Sequence, residues 1–226
     1  MALNCLRRIA FLTVVFFASL AAFAATFTLE QVLSSPFPYG LTAAAHAPRI
    51  AWVFSFKGAR NIWIADGPNF AARQVTHYSG DDGMPIASLR LTPDGRTMVF
   101  VRGTEANDAG RVAAPTNDLT PRKQMVVAVD VDGESARALG EMGCSYEGCE
   151  DIEISPDGQF AVWSARKQIW IAPVSGATAA HQLTDLPGNT LSPQWSSDGR
   201  SIAFVSDRGD HSFIATYDIG HDSVHY

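Results

Sequence analysis

The chain has 226 residues, 46% of them hydrophobic and 18% charged, with a formal net charge of -6. That size fits one large or two small globular domains. No block of Lys or Arg stands out, which speaks against a nucleic-acid partner, whose binding rests on clustered positive charge.

In chain order, MALNCLRR places Arg7 and Arg8 before an uncharged run from Ile9 to Ala25. A positive start, an apolar stretch and Ala22-Phe23-Ala24 as a small-x-small cleavage site predict a signal peptide over residues 1–24. The expected location is then periplasmic or secreted. The alternative is an uncleaved membrane anchor, because the run approaches the roughly 20 residues of a membrane span. Thr13, Ser19 and the Ala-rich end favour cleavage. Cys5 precedes the apolar run, so it does not read as a lipid-bearing cysteine.

Residues 25–45 form a lead-in with one short helix in FTLEQVLSSPFP, where Thr28 and Gln31 have capping-box spacing and Pro36 ends it. From about Ala45 the pattern becomes one of strands. RIAWVF, NIWIAD and RQVTH are followed by TMVFVR, MVVAVD and ARALG, then by FAVWSA, QIWIAP and HQLTD, then by SIAFVS and FIATYD. These short runs are rich in Val, Ile, Phe, Trp and Ala and bounded by Gly, Asp, Asn or Pro, as strands are. A further strand precedes each turn, as in IASLRL, DIEI and SPQW, which makes about four strands per unit.

The turns carry a mechanism. In Thr92-Pro93-Asp94-Gly95 and Ser155-Pro156-Asp157-Gly158, Pro pre-sets the second turn position, Asp bonds neighbouring backbone and Gly takes the exit. Ser196-Ser197-Asp198-Gly199 lacks only the Pro, while Ala47-Pro48-Arg49 lacks the Asp and Gly. The second unit carries a polar insertion, GTEANDAGRVAAPTNDLTPRK, which reads as a rim loop. Four-stranded units with a period of about 40–50 residues predict a β-propeller. Strands apolar at nearly every position are buried on both faces, whereas the alternative, an irregular β-sandwich, would alternate more cleanly. The predicted fold is all-β: a partial β-propeller over residues 46–226, with blades at about 46–80, 83–140, 144–186 and 188–226. The last blade is expected to be incomplete, lacking its outer strand.

Beyond the leader the remaining cysteines are Cys144 and Cys149, in CSYEGC. In an oxidising compartment they are expected to form a local disulfide, with two unpaired thiols as the alternative. With no nearby His they supply too few ligands for zinc. Asp130-Val131-Asp132-Gly133-Glu134 starts like a calcium loop but lacks the later ligands, and reads as an Asp-Gly hairpin. Arg208-Gly209-Asp210 spells an adhesion tripeptide, yet sits at a tip between strands where Gly and Asp are ordinary. His77, His181 and His211 are isolated and read as structural or exposed. No cofactor or metal site is expected.

RNIWIAD with RQVTHY, TPDGRTMVFVRG and SPQWSSDGRSIAFVSDRGDHSFIATYDI, together with the helix before the first blade, resemble the propeller of the prolyl oligopeptidase family of serine peptidases. The likeness is to its dipeptidyl peptidase IV and acylaminoacyl peptidase branches. It implies a seven- or eight-bladed propeller joined to a C-terminal α/β-hydrolase domain with a Ser–Asp–His triad, the propeller admitting small peptides and excluding folded proteins. The implied partners are that hydrolase domain and an oligopeptide substrate. No serine here stands in a G-x-S-x-G elbow: Gly143-Cys144-Ser145-Tyr146-Glu147 comes nearest and lacks the second Gly. No triad residue can therefore be assigned, and the chain alone is expected to be inactive, as the N-terminal part of a longer enzyme. Dipeptidyl peptidase IV relatives hold the substrate amine with paired glutamates. Glu147, Glu150 and Asp151 form an acidic cluster, but their order does not match that pair, and a solvated loop is the simpler reading. The alternative function is a TolB-like periplasmic protein-binding propeller without activity. That type has an α/β domain before its blades, for which Phe27–Ala45 is too short.

Overall fold

The computed structural model describes residues 27–103, 123–132, 135–142 and 152–226. The predicted signal peptide, most of the second-unit insertion and the loop with Cys144, Glu147, Cys149, Glu150 and Asp151 lie outside them. Two units are distinguished, residues 1–35 and 36–226.

In the first unit, α1 (Leu29–Leu33) is a single capped turn. The Gln31 N–H donates to Thr28 Oγ1 at 3.1 Å, and the Thr28 N–H donates to Gln31 Oε1 at 3.0 Å. This is the reciprocal box that the spacing predicts, and such caps contribute about 1 kcal/mol.

The second unit is a partial β-propeller of four blades, each a four-stranded antiparallel sheet. The first comprises β1 (Phe37–Ala43), β2 (Arg49–Phe56), β3 (Ala59–Asp66) and β4 (Ala71–Gln74). The second comprises β5 (Ile86–Leu91), β6 (Thr97–Arg102), β7 (Met125–Asp130) and β8 (Ala136–Glu141). The third has β9 (Glu153–Ile154), β10 (Phe160–Ala165), β11 (Gln168–Pro173) and β12 (His181–Gln182). The fourth has β13 (Asn189–Trp195), β14 (Ser201–Asp207), β15 (Ser212–Asp218) and β16 (Ser223–His225). In β1, β5 and β13 a bulge interrupts pairing with the next strand, and one residue of it has positive φ: Gly40, Ser88 or Ser192. Such bulges increase the local twist.

The three Asp-Gly turns are built identically. Thr92, Ser155 and Ser196 each donate a hydroxyl proton to the turn aspartate and accept the backbone N–H of Thr97, Phe160 and Ser201. The aspartates also accept the N–H of Arg96, Gln159 and Arg200. Gly95, Gly158 and Gly199 exit at φ +71°, +75° and +70°, where a Cβ is strained. The turns also stack: a Cβ on Gly95 would lie 3.1 Å from Ala44, one on Gly158 3.2 Å from Pro93 and one on Gly199 3.7 Å from Pro156. Each turn thus rests on the turn of the preceding blade.

The core lies between the blades, and one interface recurs three times. A blade presents the inner-strand residues of one sheet face, and its successor receives them on the other. Ala51, Val53, Ile62 and Ile64 pack on Met98, Phe100, Val127 and Val129. Val99, Val101, Val126 and Ala128 pack on Ala161, Trp163 and Ala172. Val162, Ile169 and Ile171 pack on Ile202, Phe204, Ala215 and Tyr217. Phe100, Trp163 and Phe204, at matching register, are almost fully buried. Burying such a side chain contributes about 1.5–3 kcal/mol.

Two expectations change. The fourth blade is not short of its outer strand: β16 pairs with β15 through Thr216–His225, Tyr217–Val224 and Asp218–Ser223. It has three residues and one apolar side chain, Val224, which packs into the last core, so no strand pattern could mark it. The first blade begins at Phe37, inside the stretch read as lead-in, because β1 contains Pro38 and Gly40 and does not alternate.

Outer strands are also shorter than RQVTH and HQLTD suggest. The hydroxyls of Thr76 and Thr184 accept the N–H of Ile62 and Ile169, replacing a strand carbonyl. Those hydroxyls donate to Asn61 Oδ1 and Gln168 Oε1, whose amide nitrogens donate to the Tyr78 and Leu186 carbonyls. The paired motifs NIW…QVT and QIW…QLT are therefore a buried polar clip that closes a blade.

Candidate binding clefts between the blades

Where an outer strand meets the next blade, one position recurs. Pairing aligns Arg73 with Ile64, Arg137 with Ala128 and His181 with Ile171, the same place in three blades. Arg73 donates to the Val131 carbonyl at 2.9 Å and pairs with Asp132 at 3.0 Å. Arg137 donates to the Val174 carbonyl at 3.3 Å. Val131, Val174 and Ile219 are equivalent, for their N–H groups donate to the Arg96, Gln159 and Arg200 carbonyls. The first two blade junctions are therefore fastened by an arginine, and the third has His181.

The junction chemistry differs accordingly. Between the second and third blades, a cleft of about 480 Å³ is lined by Asp130, Arg137, Gln159 and Phe160 among others. Arg137 holds Asp130 in two hydrogen bonds of 2.7 and 2.8 Å, and Thr97 donates a third at 2.8 Å. These hold the Asp130 carboxyl below the ordinary aspartate range, chiefly through Arg137, against partial desolvation. Between the third and fourth blades, a cleft of about 480 Å³ is lined by Phe160, His181, Trp195, Tyr217, Ile219 and Asp222 among others. Burial, aided by a hydrogen bond to Asp222 and its charge, pushes the Tyr217 phenol up to about 12. The Trp195 indole N–H is buried and has no hydrogen-bond partner among the described residues. Aromatic walls, a neutral phenol, an exposed imidazole and a carboxylate suit an amphipathic group such as a peptide side chain.

At the opposite strand ends, Arg102 lies over the Tyr78 ring at 3.4 Å and pairs with Asp82. Glu141 joins Lys123 and Arg166, with the Arg166 guanidinium 5.5 Å from the Trp170 ring centre. Arg166 and Lys167 form a two-residue hairpin turn with both φ values positive, an uncommon pair in place of the usual Asn-Gly.

The residues singled out in the sequence are mostly committed elsewhere. Asp130 and Asp132 accept from Arg137 and Arg73, while Gly133 and Glu134 of that stretch lie outside the described residues. Arg208 folds back, donating to the Tyr226 hydroxyl at 2.7 Å and to Ser206 Oγ at 3.2 Å, so the tripeptide is not displayed as a unit. His211 lies on Asp210 and against the Phe213 ring edge, and His77 is exposed. Of these residues His181 lines the cleft between the third and fourth blades, and its place follows from the register, which the isolated residue could not reveal.

No family model and no curated protein matches the chain. Solved structures do match. TolB from Acinetobacter baumannii is 19% identical with a TM-score of 0.54, over 84% of this chain and 43% of that one. An acylaminoacyl peptidase from Pyrococcus horikoshii is 13% identical with a TM-score of 0.57, over 87% and 33%. The β-propeller domain of the Trilobed protease from Pyrococcus furiosus is 14% identical with a TM-score of 0.51, over 80% and 54%. At these identities the likeness shows the fold, a β-propeller, and the chain spans 33% to 54% of the length of the three.

Proposed function

We propose that these blades are the propeller module of an exported serine peptidase, admitting oligopeptides to an α/β-hydrolase domain that these residues do not provide. The observation that carries the reading is the Asp-Gly blade repeat preceded by a capped helix, the combination by which the sequence resembles the prolyl oligopeptidase family. Propellers of two peptidases being similar to the unit supports it. The module is a filter and not a catalyst: its residues contact peptide, and the amphipathic cleft beside His181 suits a substrate side chain.

The test is capture of the native polypeptide with an antibody against residues 152–226, followed by fluorophosphonate labelling. A labelled polypeptide that cleaves small peptides supports the reading. A polypeptide that carries these blades and takes no label overturns it. The TolB match, at 19% identity, favours a second reading, a protein-binding propeller without activity. Under that reading the unlabelled polypeptide retains a folded protein partner and ignores short peptides.

A further inference from the structure

One outer-strand position repeats in three blades, and in the third it holds a shorter side chain. The Arg73 guanidinium reaches the next blade at the Val131 carbonyl and Asp132, at 2.9 and 3.0 Å. The Arg137 guanidinium takes the Val174 carbonyl with Nε and Asp130 with Nη1 and Nη2. Being planar and forked, a guanidinium can meet a carbonyl and a carboxylate at once. At the third junction the matching carbonyl belongs to Ile219, and the matching outer-strand residue is His181. Both line the cleft of about 480 Å³ between the third and fourth blades. In the cleft between the second and third blades, Arg137 itself neutralises Asp130. Around His181 the described lining holds two carboxylates, Asp157 and Asp222, and neither Arg nor Lys. Both walls belong to blades that pack on each other, so blades beyond them would leave the cleft as it is.

The rest of the lining suits the same group. Phe160, Trp195 and Tyr217 supply aromatic faces, on which a guanidinium stacks. The chain uses that contact in two other places: Arg102 lies 3.4 Å from the Tyr78 ring centre and Arg166 5.5 Å from that of Trp170. The Tyr217 hydroxyl donates to Asp222 Oδ1, and the carboxylate keeps further acceptor positions for a second donor. We propose that this cleft is a subsite for an arginine side chain of a peptide, whose guanidinium stands where Arg73 and Arg137 place theirs, on the Ile219 carbonyl and Asp222. The third junction is thus completed by the ligand and not by the chain. Lysine, a point charge without the fork, fits less well. The subsite rests on the reading of this cleft as a peptide contact, and it specifies the side chain which that contact selects.

The test is titration of the purified chain with N-acetyl-Gly-Arg-Gly amide, followed by the tryptophan indole N–H resonances in proton–nitrogen NMR. The Trp195 signal is identified by its loss in W195F. The same peptide with citrulline, which keeps the shape and loses the charge, is the control. The arginine peptide is expected to shift the Trp195 signal saturably. It should bind at least about tenfold more tightly than the citrulline peptide, the worth of a charge-assisted hydrogen bond. His181→Arg supplies a guanidinium from the chain, and Asp222→Asn removes the charge with a residue that tolerates the φ of 48° there. Each should weaken binding by about tenfold while keeping the parent circular dichroism. Equal binding of the two peptides, or no saturable shift, overturns the subsite without recourse to a variant. Undiminished binding by a folded H181R chain overturns the place assigned to the guanidinium. A native polypeptide that takes the fluorophosphonate label while the arginine peptide fails to bind loses the subsite and keeps the peptidase reading. An unlabelled polypeptide whose blades bind the arginine peptide loses the peptidase reading and keeps the subsite.

Discussion

At the scale of single residues, stability rests on a few contacts whose loss is measurable. Gly140 lies against the next blade: a Cβ there would sit 2.8 Å from Trp163 Cζ2 and 2.9 Å from Ala180 Cβ. Trp163 is fully buried and cannot yield, so Gly140→Ala is expected to cost about 1–3 kcal/mol by overpacking, read from urea melts. An unchanged midpoint would place the ring elsewhere. Asp94 accepts from the Thr92 hydroxyl and the Arg96 N–H, which hold its carboxyl below the ordinary range, as the Arg49 bond does for Asp66 and the Arg137 bonds for Asp130. Groups depressed on folding contribute stability above their unfolded pKa, about 3.9 for Asp, and that contribution is lost as pH falls through the folded values. The thermal midpoint should therefore drop on acidification below about pH 4, and Asp130→Asn should remove part of that drop. A midpoint indifferent to acid would contradict the assignment.

At the scale of elements, the buried polar clip and the junction position set the edges of each blade. Thr184→Val keeps the shape but leaves the Ile169 N–H without its acceptor and Gln168 without one of its donors, and should cost about 1–3 kcal/mol. Thr184→Ser should recover most of it, and equal losses for the two variants would refute the clip. His181→Arg should restore the fastening made by Arg73 and Arg137, adding up to about 1 kcal/mol at this exposed site. A melting point unmoved by the change would mean that the Ile219 carbonyl is out of reach. The sequence made the Asp-Gly turns legible because Pro, Asp and Gly each have a local job there. The Ser/Thr hydroxyl at the turn start, equally repeated, could have been read from the same alignment. By contrast, the place of His181 emerges only from strand pairing, and β16 offers a single apolar residue, so neither had a local signal.

At the scale of the whole molecule, the all-β propeller was legible because a unit that buries both faces of its sheet must repeat, and the repeat was visible. The start of the first blade was not, since β1 contains Pro38 and Gly40 and lacks the apolar pattern that the central strands show. Sites were less legible than the fold for a related reason. The cleft by Trp195, Tyr217 and His181 draws on two blades and five strands, and proximity of that kind has no trace in local spacing. Four blades mating through one repeated face is the central claim, and hydrogen exchange followed by mass spectrometry on the purified chain tests it most directly. Slow exchange should recur in four periods, at β2–β3, β6–β7, β10–β11 and β14–β15, with β4, β12 and β16 exchanging first. Protection without that period, or β14–β15 exchanging as freely as the turns, would contradict it.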